Sequence, residues 1–298
     1  MPPRYVVALI VGFWLISTGW LAYREWWPWL QADSPPPFTV ELADEAAPLI
    51  AHWTIWRGEQ KLGTSVTKMI AQKDDTFHLE STIENLEVEM EVFVHKVQIK
   101  VSKLRTVQKV SREGKLLAVD SKLQLNLTAF GQKFDMKASI TGFAKEGQLH
   151  AHSKIESLFG NAENDIDPIP LDSGSAFNPL QPLAKLRVRP GQRWKISTVD
   201  PVEEAFYSSL QQMLSQSKVA GKAGGNLRKS MAAPKMLLAE VLTKPHDLLH
   251  EGNTISCYLI EYRGEDLTGQ TWVQISDGKV LRQEVTWQGK KMTLLRDD

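Results

Sequence analysis

Internal disulfides are excluded, because Cys257 is the one cysteine among 298 residues. A body of this size does not need them to survive export, since its core is large enough. Cys257 sits in "TISCYLIEY", where alternation gives it the role of a small buried strand residue. A nucleophile would need a base beside it, and no local pattern supplies one. An excess of charge of one sign is also missing. Lys plus Arg total 35 and Asp plus Glu total 35, for a formal net charge of zero. That balance speaks against a dedicated nucleic-acid surface, and no nucleic-acid partner is expected.

Catalytic and metal-binding patterns are sparse too. No G-x-S-x-G occurs. His150 and His152 project from one side of a strand, but two imidazoles lack the third and fourth ligands a metal needs. His246 and His250 would share a face if "PHDLLHEG" were helical, yet the glutamate of H-E-x-x-H is absent. "NAENDIDP" offers Glu163, Asp165 and Asp167 without the spacing or glycine of a calcium loop, so it reads as a solvated acidic loop. "AGKAGGNLRKS" lacks the G-x-x-x-x-G-K-[ST] spacing of a phosphate loop. Asn126-Leu-Thr128 matches a glycosylation acceptor but falls inside a strand. These absences predict no cofactor, no metal and no catalytic residue: a protein that is not an enzyme.

A long uncharged run is present instead. Tyr5–Tyr23 holds 19 residues without a charge between Arg4 and Arg24. A helix needs about 20 apolar residues to cross the hydrocarbon core. A cleaved signal peptide is the rival, but Trp20 would stand at −3 of a cut after Ala22, and small residues are required there. The run is therefore predicted to be an uncleaved anchor, in contact with membrane lipid. Trp26, Trp27 and Trp29 follow as an interfacial belt, since tryptophan joins an apolar body to one N–H. Pro35-Pro36-Pro37 stiffens the exit. Arg4 and the α-amino group favour an inner N-terminus and an exported C-terminal body. The predicted organisation is an anchor at 1–30, a linker at 31–48 and one β body at 49–298.

Within that body the period is two. "LEVEMEVFVHKVQIKV" (Leu86–Val101) puts Leu86, Val88, Met90 and Val92 on one face and Glu87, Glu89 and Glu91 on the other. The phase slips near Val94–Val97, which predicts a bulge or a bend. Phe77, Leu79 and Ile83 alternate in the same way, as do Leu123, Leu125 and Leu127. Phe134, Met136, Ala138 and Ile140 form a third set, and Leu149, Ala151 and Ser153 a fourth. Short turns such as "KDD", "REGK" and "KEGQ" separate them, so antiparallel hairpins are expected. "SDGK" has hairpin-turn composition. "WRGEQKL" at Trp56 and "WQGKKMT" at Trp287 share W-x-G-x-x, each ending one strand and opening the next. The Pro-, Asn- and Asp-rich stretch 159–189 is predicted to be a long loop. Residues 201–218 are predicted to be a helix, with Asp200 as cap, Pro201 at the first position, and Val202, Phe206, Leu210, Met213 and Leu214 on one side. A basic glycine-containing loop, Lys218–Lys229, follows.

The phrases "HWTIWRGEQKLG", "LRVRPGQRWKI" and "GQTWVQISDGKVLRQEVTWQGKKMTLLR" resemble uncharacterised bacterial envelope proteins. Their β-domains sometimes precede a transglutaminase-like domain. The layout is similar to the lipoprotein-carrier type, in which a curved antiparallel sheet wraps one or more helices and shelters an apolar cavity for acyl chains. The resemblance implies a mainly β (α+β) fold: a strongly curved antiparallel sheet or open half-barrel with one main helix, behind the transmembrane helix. It places the chain in the bacterial inner membrane, single-pass, with its body in the periplasm. Tethering sets it apart from carriers that shuttle freely, and no functional residue is transferred.

The expected function is binding of a lipid or other hydrophobic ligand. Val88, Met90, Val92, Leu123, Leu125, Phe134 and Met136 would line the sheet, with Phe206, Leu210 and Met213 as a helical plug. The same residues could simply fill a core. The alternative is an interaction module that meets an envelope protein through the basic loop, the acidic strand face or the 159–189 loop. A third reading is a metal protein using His150 and His152.

Overall fold

Short turns leave each alternating segment beside the one before it, so consecutive strands pair. The structure is a computed structural model that describes residues 11–21, 48–92, 95–129, 132–157, 160–171, 185–197, 236–264, 267–287 and 289–297. The first run of strands is β1 (Leu49–Arg57), β2 (Gln60–Ala71), β3 (Thr76–Val92), β4 (His95–Ser111), β5 (Leu116–Ala129), β6 (Gln132–Lys145), β7 (Gln148–Ser157) and β8 (Gly160–Pro170). The second is β9 (Arg193–Ser197), β10 (Met236–Val241), β11 (His246–His250), β12 (Asn253–Arg263), β13 (Leu267–Gln274), β14 (Val280–Trp287) and β15 (Lys290–Arg296). All belong to one 15-stranded sheet in the order β8-β7-β6-β5-β4-β3-β2-β1-β15-β14-β13-β12-β10-β9, with β11 beside β12. Every strand pairing is antiparallel. The sheet is curved and does not close.

The first and last strands meet in the middle. Trp53 lies opposite Arg296 on one side and Ser65 on the other. The junction is tied at its rim by Thr54 Oγ1 donating to Asp297 Oδ2 at 2.8 Å and by the Asp297 N–H donating to the His52 carbonyl at 3.0 Å. The paired W-x-G turns behave as their sequence predicts. Gly58 and Gly289 have φ of 61° and 73°, the left-handed values that a tight hairpin asks of glycine.

Register creates two faces. On the inner face one apolar cluster runs from β9 and β10 through Ile260, Val273 and Leu294 to Trp53, Ile55 and Leu62. A second lies at the ends of β3 to β8, around Phe77, Val110, Leu149 and Ile169. A third comprises Leu125, Met136, Ala138 and Ile155, with Val101 and Leu123 against it. The outer face of β3 and β4 is a charge ladder: Glu80–Arg105 at 2.7 Å, Glu84–Lys103 at 3.3 Å and Glu87–Lys100 at 2.6 Å. Such exposed pairs contribute little each.

The expectations for residues 86–101 and 159–189 change. Residues 86–101 are not one strand: Val92 pairs with His95, so the chain reverses between β3 and β4. The phase slip marked a hairpin without a glycine or asparagine to announce it. The bulge is elsewhere, at Ser102, where the β4–β5 register shifts and Asn85 on β3 takes φ of 54°. Beyond it the inner residues change parity, from Ile83 to Leu86 on β3 and from Leu104 to Val101 on β4. Gly63 accommodates the bend, because a Cβ there would stand 2.9 Å from Leu86 Cα and 3.0 Å from the Glu84 carbonyl oxygen.

The 159–189 loop is in part a strand, β8, paired along β7. Its prolines are tolerated because β8 is a sheet edge, where one side of the backbone needs no ladder partner. Leu186 then packs into the first cluster, its N–H bonded to the Gly278 carbonyl at 2.7 Å. His246 and His250 lie on β11, not on a helix, because the chain pairs there with β12.

At the N-terminus, residues 11–21 are helical. Eleven residues rise about 16 Å, well short of the 30 Å or so of a bilayer core. Among the described residues no helix is long and apolar enough to cross a membrane. The rest of Tyr5–Tyr23, the Trp26, Trp27 and Trp29 belt, the linker to residue 47, the helix predicted at 201–218 with Phe206, Leu210 and Met213, and the Lys218–Lys229 loop lie outside the described residues.

Candidate functional site

The inner face of β2 to β8 follows from register alone. Three of the residues predicted to line it meet there. Leu125 faces Met136 across β5 and β6, both buried, and Leu123 is half-buried beside Ala138. Phe134, half-buried, pairs with Leu127. Val88, Met90 and Val92 take positions opposite Ile99, Val97 and His95. Their side chains lie outside what the structure describes.

The face is not uniformly apolar. One transverse row crosses seven strands: Thr67 opposite Ser81, Ser81 opposite Thr106, Thr106 opposite Ser121, Ser121 opposite Ile140, Ile140 opposite Ser153 and Ser153 opposite Asn164. All but Ile140 carry a hydroxyl or an amide. This polar lane separates the Phe77–Leu149 cluster from the Leu125–Ile155 cluster. Thr106 and Ser121 share a hydrogen bond of 2.9 Å. Thr67 Oγ1 accepts one from Trp53 Nε1 at 2.8 Å. Ser65, next to Thr67 on this face, is 2% exposed and its Oγ has no hydrogen-bond partner; neither has Asn164 Nδ2. By register, none of the described residues on the inner face of β1 to β8 is charged. Thr67, Ser81, Met69, Leu79, Ile83, Leu104 and Leu123 are half-buried, so part of the face remains open. Single-strand alternation could not reveal the lane, although Thr67, Ser81, Thr106 and Ser121 do occupy the apolar phase.

The histidines face outward. His150 stacks on Phe143 with ring centroids 5.5 Å apart. His152 reaches the edge strand, with Nδ1 2.9 Å from Asp165 Oδ1 and Nε2 3.1 Å from Glu163 Oε1. The acidic residues of "NAENDIDP" thus flank a histidine. Among the described residues no cluster of three or more His, Cys, Asp or Glu is placed to hold a metal. Cys257 is fully buried, and burial pushes its thiol up to about 11, with Asp247 adding to the effect.

Asp165, and then Glu163, raise the pKa of His152 above its ordinary value. A raised folded value stabilises the protonated form. The contribution is complete below the unfolded pKa and disappears as pH climbs through the folded one. Docking of β8 on β7 is therefore expected to loosen over that interval. Hydrogen exchange of the β8 amides, corrected for intrinsic rates, should accelerate with pH, and His152→Gln should abolish the dependence. A wild-type profile as flat as that of the variant would remove His152 from the edge.

No protein-family model matches the chain, and no curated protein matches it. A solved beta-barrel-like protein of the domain of unknown function DUF1849 from Brucella abortus aligns with 84% of this chain and 97% of its own length, at 8% identity and a TM-score of 0.34.

Proposed function

We propose that this is a membrane-anchored, non-enzymatic protein of the bacterial envelope whose curved β body binds a lipid or other hydrophobic ligand. The observation that carries the reading is the partly open, uncharged inner face of β2 to β8, set against an outer face of paired charges. Apolar surface left open on one face of a curved sheet is a candidate binding surface. The anchor is supported by residues 11–21, a helix on which Phe13, Trp14, Ile16 and Trp20 are each more than 60% exposed. Exposed side chains of that size are at home in lipid. With Arg4 inside, the body stands in the periplasm.

Native mass spectrometry of the full chain, extracted from membranes in detergent, tests the proposal. A bound lipid that survives detergent removal is the expected result. A spectrum of bare protein, with no uptake of added fatty-acyl probes, would overturn it. Alkaline carbonate extraction tests the anchor: the protein should stay with the membrane pellet, and release into the supernatant counts against a span.

A further inference from the structure

We infer that the occupant of this face carries an uncharged hydrogen-bonding group, an ester or a hydroxyl, across the polar lane with hydrocarbon on both sides. The inference rests on the ligand-binding reading above and adds the chemistry of the ligand. Small side chains in a row could serve only to let the sheet curve, and glycine or alanine would do that as well. The hydroxyls ask for more. In the Thr106–Ser121 pair one hydroxyl donates to the other, which leaves one O–H proton still to give. Ser65 Oγ, almost fully buried, has no partner at all. Buried polar atoms are rarely left so unless something else completes them.

The same geometry disfavours a charged head on the lane between β3 and β8. No described inner-face residue of those strands offers a countercharge, and an ion buried without one is strongly disfavoured. The buried cation of this face, Arg296, lies beyond β1, opposite Trp53. Apolar clusters flank the lane in both strand directions, so hydrocarbon is expected to extend each way from the polar group.

The test uses the full chain in detergent, offered equal amounts of decyl decanoate, the hydrocarbon henicosane and the carboxylate icosanoate, all of similar length. Retention is read by native mass spectrometry. The ester should exceed the hydrocarbon and the carboxylate by about tenfold, the effect of one good hydrogen bond. In a Thr106→Val, Ser121→Ala variant the ester-to-hydrocarbon ratio should fall toward one, while henicosane retention is kept and reports an intact fold. Equal retention of ester and hydrocarbon by the wild type, a ratio unchanged in the variant, or preference for the carboxylate overturns the inference and leaves ligand binding standing. Retention of none of the three overturns both.

Discussion

Trp53→Ala is expected to destabilise the body by about 3–5 kcal/mol, the range for emptying a large aromatic site in a packed core. Trp53 is fully buried, and it stands on β1 at the seam between the two runs of strands. Its cross-strand neighbours, Ser65 and Arg296, belong to the second and the last strands, so no local repacking fills the gap. Domains are stable by only about 5–15 kcal/mol, which makes this loss a large share of the whole. The readout is the urea midpoint of wild type and variant, together with the slope of each transition.

A second substitution separates packing from hydrogen bonding. Trp53→Phe keeps most of the apolar contact but removes the N–H that Thr67 Oγ1 accepts at 2.8 Å. It should cost about 1 kcal/mol for the bond, plus a smaller loss from the missing ring. If Trp53→Ala shifts stability by less than about 1 kcal/mol, the seam is not where the body is held together. A Phe variant as damaging as the Ala variant would make the indole N–H, not burial, the main contribution.

The seam also shows what sequence can and cannot disclose. Alternation marked β3, β5, β6 and β7 because each buries one side, and a pleat exposes that as period two. The W-x-G echo located two hairpins because the turn itself dictated glycine. The β3–β4 hairpin escaped because its reversal, between Val92 and His95, coincides with apolar and aromatic residues rather than turn formers. Strand β8 escaped for the opposite reason: Asn161, Asp165, Pro168 and Pro170 have loop chemistry, yet an edge strand needs only one paired side. Leu123, Leu125 and Met136 were legible as inward residues. The lane they adjoin was not, since Thr67 and Ser153 become part of one row only through five intervening pairings, none of which a single segment encodes.

The second large effect runs in the opposite direction. Gln283 and Thr271 face each other across β14 and β13, with Leu294 and Ile260 as the next cross-strand neighbours on either side. They are 2% and 1% exposed. Thr271 has the hydroxyl of the buried Tyr262 as a hydrogen-bonding neighbour, whereas neither the amide O nor the amide N of Gln283 has a partner. A buried group left in this state costs about 1–3 kcal/mol, whereas an apolar group of the same shape at the same site costs nothing comparable. Gln283→Met preserves length and removes both unpaired atoms. It is therefore expected to raise stability by about 1–3 kcal/mol, read as a higher denaturant midpoint at unchanged slope. Thr271→Val gives up the Tyr262 neighbour and should not share that gain. Destabilisation by Gln283→Met would reverse the conclusion, because it would show that an ordered water or another bound group completes the amide in solution. A polar side chain kept in an apolar core against the protein's own stability points to a constraint other than folding. The measured sign decides whether Gln283 is such a case.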